Sequence, residues 1–203
     1  MSVSTYVEEP AGCGAVTVRL ATRDDHAAMR AVITAAYAQY EMAVGPEAFD
    51  RYLADLLDLD LHASHGPLVV AEVDGVVRGS AAFYPESAAQ GLGWPAGWSG
   101  GRALAVHPDA RGHGVARALV AACEELAHEY GAPVFAFHTL ELMTDAIRLY
   151  ERLGFVRAPA YDRDLLPHFG VTAGPPLRAI AYQRTFAATE RRPSGLQLLR
   201  PDH

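Results

Sequence analysis

Apolar residues recur at helical spacing in four segments of this chain. In the clearest of them the apolar positions lie three or four residues apart, as on one face of an α-helix: Val115, Leu119, Cys123, Leu126 and Tyr130. Thr22 followed by two aspartates marks the start of an earlier helix, predicted at 24–39. Further helices are predicted at 47–61 and 144–153. Each of these helices has an apolar face to bury against another layer.

Seven other segments have the alternation or the apolar composition of β-strands. Residues 16–20 alternate as in an edge strand, and 68–73 and 76–84 are separated by Asp74-Gly75, a strong hairpin signal. The remaining strands are predicted at 102–106, at 133–138, from Phe155 onward and at 177–186. Segments 40–46 and 85–100 lack such patterns and are expected to be loops.

The order of these elements is strand, two helices, three strands, helix, strand, helix and two strands. It predicts an α/β fold with a mixed, mainly antiparallel central sheet flanked by helices. With 203 residues the chain is long enough for one domain with a substantial core. We expect that domain at 15–187, between a disordered tail at 1–14 and a flexible tail at 188–203.

Composition narrows the classes of function. Half of the residues are hydrophobic and 20% are charged, which is typical of a globular protein. The net charge of −7 argues against nucleic-acid binding and mildly favours cationic partners. No segment is suited to crossing a bilayer or to directing secretion, and two cysteines do not form a disulfide framework, so a cytoplasmic protein is expected. His62 and His65 lack further ligands nearby, and no metal site is expected.

A glycine-rich turn joins the strand at 102–106 to the helix that begins at Val115. Residues 104–120 read LAVHPDARGHGVARALV. Glycines before a helix leave backbone N–H groups open to approach, and the helix dipole favours an anion there. The turn lacks the Gly-Lys-Ser/Thr of a nucleotide-binding P-loop and the spacing of the dinucleotide fingerprint. A phosphate or pyrophosphate of another kind is therefore indicated, the alternative being a plain strand-to-helix connection.

Two motifs in this region resemble one known family. The hexapeptide at 111–116, Arg-Gly-His-Gly-Val-Ala, resembles the coenzyme A motif Arg/Gln-x-x-Gly-x-Gly/Ala of the GCN5-related N-acetyltransferases (GNAT). Residues 146–155, AIRLYERLGF, resemble the helix and Leu-Gly-Phe turn that this family carries one strand downstream. The resemblance extends over roughly 16–186. The resemblance therefore favours a pyrophosphate-binding turn over a plain strand-to-helix connection.

The resemblance implies a sheet that splays between its fourth and fifth strands, with the thioester of acetyl-CoA in the cleft. Main-chain groups of the fourth strand would pair with pantetheine, and the turn would wrap the pyrophosphate, with Arg111 and Arg117 as accessories. The residues so implied in binding acetyl-CoA are Leu104, Ala105, Val106, Arg111, Gly112, His113, Gly114, Val115, Ala116 and Arg117.

The resemblance also implies a general acid. Tyr150 lies where the family often has a tyrosine that protonates the departing coenzyme A sulfur. A phenol has a pKa near ~10, close enough to that of a thiol for late proton donation. The alternative is an aromatic residue packed in the core on the stripe of Ala146, Tyr150 and Leu153.

The general base is less well indicated. Met143 replaces the asparagine that the family usually has seven residues before the tyrosine, and no acidic residue lies within 102–106. His138 stands where several members carry a glutamate base, and it is either a base or a hydrogen-bonded residue at the strand end. Glu86 is a second candidate base, or else a loop carboxylate. Water could also relay the proton.

These expectations combine into an N-acetyltransferase that moves an acetyl group from acetyl-CoA to a primary amine of a small molecule or peptide. Transfer is expected to be direct, in a ternary complex, because a buried Cys123 is unsuited to carry the acyl group. The alternative is a non-catalytic acyl-CoA-binding or sensor module on the same fold. The sequence identifies neither the acceptor nor the oligomeric state, for which a homodimer is one alternative. Trp94 and Trp98 either stack on the acceptor or cap the sheet edge.

Overall fold

The computed structural model describes residues 15–172 and 176–187. The predicted tails at 1–14 and 188–203 lie outside the described residues, and the domain boundaries remain predictions. The strands are β1 Val16–Leu20, β2 Leu68–Val73, β3 Val76–Tyr84, β4 Ser99–Val106, β5 Val134–Leu140, β6 Val156–Arg157, β7 Arg163–Asp164 and β8 Arg178–Thr185. The α-helices are α1 His26–Tyr37, α2 Glu41–Val44, α3 Pro46–Leu57, α4 Leu59–His65, α5 Val115–Glu129 and α6 Thr144–Arg152.

The strands form one sheet in the order β1-β2-β3-β4-β5-β8-β6, with the short β7 also paired to β8. All neighbours are antiparallel except β4 and β5, which run parallel. This confirms the predicted mixed, mainly antiparallel sheet. The β2–β3 hairpin turns at Asp74 and Gly75, which both have positive φ, as a type I′ turn requires.

The pairing of β4 with β5 is confined to two positions, Ser99 opposite Phe135 and Gly100 opposite Ala136. Beyond these positions the two strands diverge, and a gap opens in the middle of the sheet. This confirms the splayed sheet that the family resemblance implies. The gap is the feature of the fold that positions the candidate site.

Helices cover both faces of the sheet. The α1, α3 and α4 helices pack on one face, against side chains such as Val70 and Ala82. The α5 helix packs on the other face, against Val69, Ala81 and Phe83, with Tyr150 of α6 beside it. We call these the α1 face and the α5 face. The apolar side chains of β2 and β3 alternate between the two, as the pleat requires.

The predicted apolar stripe of α5 is buried from Val115 to its fourth member, Leu126, none of these residues being more than 3% exposed. Tyr130, predicted as the fifth member, is instead 55% exposed. The reason is that α5 ends at Glu129. The ring of Tyr130 only approaches Phe83 from the helix end.

The segment at 40–46, expected as a loop, contains the short helix α2, which is followed by Gly45 with φ of 88°. Pro46 then occupies the first turn of α3, where its missing N–H costs nothing. The helix predicted at 47–61 is divided at Asp58, which leaves the helical conformation and accepts a hydrogen bond from the N–H of Leu61. The strand predicted from Phe155 is only two residues long because Pro159 starts a 3₁₀ turn.

Gly79 of β3 lets α5 approach the sheet closely. A Cβ atom there would lie 2.5 Å from Val115 Cγ1 and 2.9 Å from Leu119 Cδ1. Gly79→Ala is therefore expected to lower the free energy of unfolding by about 1–3 kcal/mol, because α5 must shift. Denaturant titration measures this. Val76→Ala, at a 50% exposed position of the same strand, should change stability by less than about 0.5 kcal/mol; equal effects of the two substitutions would contradict the prediction.

Candidate functional site

A cavity of about 220 Å³ occupies the gap between β4 and β5. Its walls include Tyr37 and Tyr52 from the helices on the α1 face, and Val120, Cys123 and Tyr150 from the α5 face. The cavity therefore passes through the sheet. Groups that approach from opposite faces can meet in it.

The inner wall of the cavity is a bulge in β4. Ala103 has a φ of 53°, a left-handed conformation that is unusual for alanine, and the β3–β4 register shifts between Ser80 and Ala82. The next carbonyl, that of Leu104, accepts a hydrogen bond from the Tyr37 hydroxyl at 3.1 Å. Burial raises the pKa of Tyr37 to about 12, so this hydroxyl keeps its proton. The bulge thus orients part of the β4 backbone toward the cavity.

The glycine turn before α5 has the geometry of an anion site. Gly112 and Gly114 have φ values of 81° and 80°, and a Cβ on either would meet nothing within 4 Å. Within the described part of the chain, nothing accepts a hydrogen bond from the N–H groups of residues 112–116. Free N–H groups at a helix N-terminus favour a phosphate.

Arg111 ties this turn to the end of α1. Its guanidinium group donates to the Ala36 carbonyl and to the Gln39 side chain, each at 3.3 Å. Arg117 is exposed in the first turn of α5. Of the residues expected to bind acetyl-CoA, those that line the cavity itself are Leu104, Ala105, Val106, Arg111 and Ala116.

Tyr150 projects from α6 into the aromatic packing on the α5 face and is 5% exposed. Its ring lies 4.0 Å from that of Phe137, centroid to centroid. Its hydroxyl donates to no described residue, although the side chain lines the cavity. Burial raises the pKa of Tyr150 well above its usual value. The phenol therefore stays protonated.

His138 lies on β5 and its side chain is on the α1 face. Its Nε2 atom donates to the Tyr161 carbonyl at 2.7 Å, which fixes the tautomer and leaves the lone pair on Nδ1. Nδ1 is buried and has no partner among the described residues. The ring packs against that of Trp94, with the centroids 4.3 Å apart and the planes tilted by 36°. Burial lowers the pKa of His138 to about 4, so the ring is neutral near pH 7 but only a weak base.

Glu86 does not reach the cavity. It is exposed at the end of β3, where one carboxylate oxygen accepts from the Ala88 N–H at 3.2 Å and the other from the Gly97 N–H at 2.8 Å. These bonds hold the two ends of the following loop together. The geometry therefore fits the loop carboxylate rather than the base.

The sequence reasoning missed an ion pair in the cavity wall. Arg102 of β4 binds the carboxylate of Asp55 on α3 through both Nε and Nη2, and its side chain is 9% exposed. The sequence does contain a signal for a buried charge here, because Arg102 is the one charged residue in the apolar strand β4, SGGRALAV. Its partner could not be read locally because Asp55 lies 47 residues away.

Trp94 and Met143 are also placed by the structure. Trp94 is buried and packs against Trp98, Tyr161 and His138. Met143 lines the cavity and its sulfur accepts a hydrogen bond from the Thr139 hydroxyl at 3.6 Å. A thioether cannot donate the hydrogen bonds of an asparagine amide. Met143 therefore cannot donate the hydrogen bond that the family resemblance implies for an asparagine at this position.

Across 15–172 and 176–187, His, Cys, Asp and Glu side chains form no group of three or more that could hold a metal ion. None of the helices described is long and apolar enough to cross a membrane.

Cys123 is buried, and burial raises the pKa of its thiol to about 12.

Comparisons with known proteins agree with this fold. Residues 28–155 match the model of the acetyltransferase (GNAT) family, whereas no curated protein sequence matches significantly. Among solved structures, yncA from Salmonella typhimurium, solved with its cofactor acetyl-CoA, is 23% identical with a TM-score of 0.59, over 85% of this chain and 95% of that one. A GCN5-related N-acetyltransferase from Rhodopseudomonas palustris is 19% identical with a TM-score of 0.64, over 90% and 99%. The paiA N-acetyltransferase from Thermoplasma acidophilum, solved with coenzyme A, is 10% identical with a TM-score of 0.61, over 84% and 99%.

The environment of His138 predicts its titration. With a pKa of about 4 in the folded chain against 6.5 for the free side chain, the unfolded state binds the proton more readily between these values. The contribution of His138 to stability is thus complete above pH 6.5 and is lost as the pH falls toward 4. Nitrogen NMR of labelled histidines should show a neutral ring with the proton on Nε2 at about pH 6 to 8. The His138→Gln variant assigns the signal, and a midpoint near 6.5 would contradict the prediction.

Proposed function

Because this chain belongs to the GNAT family of acetyltransferases, we propose that it transfers an acetyl group from acetyl-CoA to a primary amine of a small molecule or peptide, in a ternary complex. The observation that carries this proposal is the cavity through the gap between β4 and β5, with the unpaired N–H groups before α5 close to one end. An anchored thioester and an approaching amine both need access to one point, and such a cavity provides it.

The residues present fit acetyl-CoA. The N–H groups of 112–116 would hold the pyrophosphate, since no Cβ atom obstructs Gly112 or Gly114. The β4 edge at 104–106, which does not pair with β5, would accept and donate the hydrogen bonds of pantetheine. Arg111 would stay in place through its bonds to α1 and add positive charge near the phosphates.

Bound acetyl-CoA supplies an activated acyl group whose C–S bond breaks as the new C–N bond forms. Tyr150 would donate its proton to the departing sulfur, because its hydroxyl is protonated and unengaged on the α5 face. The amine must lose a proton, and on the α1 face the lone pair of His138 Nδ1 can accept it. A chain of water molecules would serve equally, since the pKa of His138 is low. The two proton transfers would thus occur on opposite faces of the sheet.

The state of Cys123 supports direct transfer. A thiol with a pKa of about 12 is almost never ionised near pH 7, so it would not form an acyl intermediate. The amine would therefore attack the thioester itself.

A cytoplasmic location and the absence of a nucleic-acid partner stay predictions from composition.

A non-catalytic acyl-CoA sensor is the second candidate. It is favoured by Met143 in place of the family's asparagine and by a β4 strand without an acidic residue. The measurement that separates the two functions is release of free thiol from acetyl-CoA with a panel of primary amines. Binding of acetyl-CoA without thiol release for any amine would favour the sensor.

Gly114→Asp is expected to abolish binding of acetyl-CoA in calorimetry. The added carboxylate would occupy the open turn and repel the pyrophosphate. Aspartate is among the few residues that tolerate the left-handed conformation of this position, so the circular dichroism spectrum should not change.

Gly131→Asp is the matched control, because Gly131 also has a positive φ of 69° and open space, but follows the far end of α5. It should bind acetyl-CoA as the unmodified chain does. Unaltered affinity in a folded Gly114→Asp variant would exclude this turn as the pyrophosphate site.

Tyr150→Phe is expected to lower kcat by ~10²- to 10⁴-fold while the dissociation constant of acetyl-CoA hardly changes. The substitution keeps the ring packed against Phe137 and removes only the proton source. Steady-state thiol release and calorimetry measure the two quantities.

Tyr182→Phe provides the control for the loss of a buried hydroxyl. The Tyr182 ring lies 6.0 Å from that of Tyr150, and its hydroxyl donates to Glu151 at 3.0 Å on the same face. This variant should keep its kcat within about twofold, a change that corresponds to less than ~0.5 kcal/mol. A Tyr150→Phe enzyme of full rate would assign Tyr150 to core packing alone.

A further inference from the structure

Arg102 has donors that its ion pair does not use. Asp55 is bound through Nε and Nη2, whereas Nη1 donates to no residue in the described ranges. Arg102 nevertheless lines the cavity, and its side chain is only 9% exposed to solvent. A charged group in such a place binds a compact anion more strongly than a surface arginine does, since the local dielectric is low.

The strand register places Arg102 across the gap from His138. The last β4–β5 pair is Gly100 opposite Ala136. Arg102 and His138 each follow two residues later, so both side chains are on the α1 face, on opposite sides of the opening. The positive charge of Arg102 also contributes to the low pKa of His138, which agrees with this proximity.

Gln90 supplies a further unused group at the same place. It is 8% exposed and lines the cavity, and its amide nitrogen has no partner among the described residues. A Cβ on Gly100 would lie 2.4 Å from that nitrogen, which locates the amide where β4 and β5 diverge. The α1 face of the gap thus combines unused donors on Arg102 and Gln90 with an unused acceptor, Nδ1 of His138.

We propose that the acceptor is a small primary amine that carries a carboxylate, as an amino acid does. The carboxylate would bind Arg102 and Gln90, and the amine would lie beside His138 Nδ1, on the α1 face and opposite Tyr150. The proposal rests on the proposed acetyl transfer. It excludes as the preferred acceptor any amine without a nearby anion, such as a lysine side chain within a peptide.

The chemistry of the donors favours a carboxylate. Arginine presents N–H groups in a planar fork that matches a carboxylate, and the Asp55 carboxylate already balances the guanidinium charge. A cationic amine that carries a doubly charged phosphate would therefore leave one excess negative charge beside this pair. A zwitterion adds no net charge to the buried pair.

Binding can be tested without turnover. The chain saturated with coenzyme A is titrated calorimetrically with the twenty standard amino acids and with their primary amides. At least one amino acid should bind about 10- to 100-fold more tightly than its amide, as expected for a buried charge-assisted hydrogen bond. Equal binding of acids and amides throughout, or binding of no amino acid, would overturn the proposal.

Two variants test the role of Arg102. Arg102→Gln combined with Asp55→Asn avoids an unpaired buried charge and should abolish the preference for the acid. Arg102→Lys keeps the ion pair but loses the fork, so it should reduce the preference for the acid. This variant serves as the test if the double variant does not fold. Arg178→Gln, which alters the exposed pair with Glu141, is the control and should retain it.

The outcomes separate this inference from the proposed function. A preference for acids that survives the Arg102 variants would leave the Arg102–Asp55 pair a purely structural link between β4 and α3, and overturn the inference. Loss of the preference for acids in the Arg102 variants would support the inference. Carboxylate-dependent binding without thiol release would sustain the inference about the ligand and refute the acetyl transfer.

Discussion

The limited pairing of β4 with β5 determines how the rest of the molecule is arranged. Two parallel neighbours that share only two paired positions leave backbone groups of both strands without partners, and each such buried group is costly. The chain satisfies one of them with the Tyr37 hydroxyl, which binds the Leu104 carbonyl. The remaining edge is open to a ligand. An opening in the middle of a sheet, rather than a pocket at its rim, lets one small volume be reached from both faces.

Burial then decides which groups near the opening are charged. It keeps the Tyr150 hydroxyl protonated, His138 neutral and the Cys123 thiol un-ionised. Arg102 and Asp55 form an ion pair in the cavity wall, in which each charge compensates the other. Tyr150 and His138, the two groups proposed to transfer protons, are thus uncharged residues lining a cavity that also has an ion pair in its wall. That distribution suits a reaction in which protons move while the protein itself gains no net charge.

Two polar side chains, Glu86 and Arg111, hold the segments around the opening in place. Glu86 joins both ends of the loop that carries Trp94, and Arg111 links the glycine turn to α1. These contacts fix the segments that would touch the acceptor and the pyrophosphate. Fixing them in advance reduces the conformational entropy that a ligand must otherwise overcome on binding.

The sequence by itself determined the features that depend on neighbouring residues. The bounds of β2 and β3, their turn at Asp74 and Gly75, the start of α5 at Val115 and the mixed sheet all follow from periodicity and from residues that tolerate positive φ. Only the tertiary structure decided the bulge at Ala103, the pairing of Arg102 with Asp55, the low pKa of His138 and the position of Glu86 outside the cavity. Each of these depends on burial or on contacts between segments distant along the chain, which no local pattern of residues records.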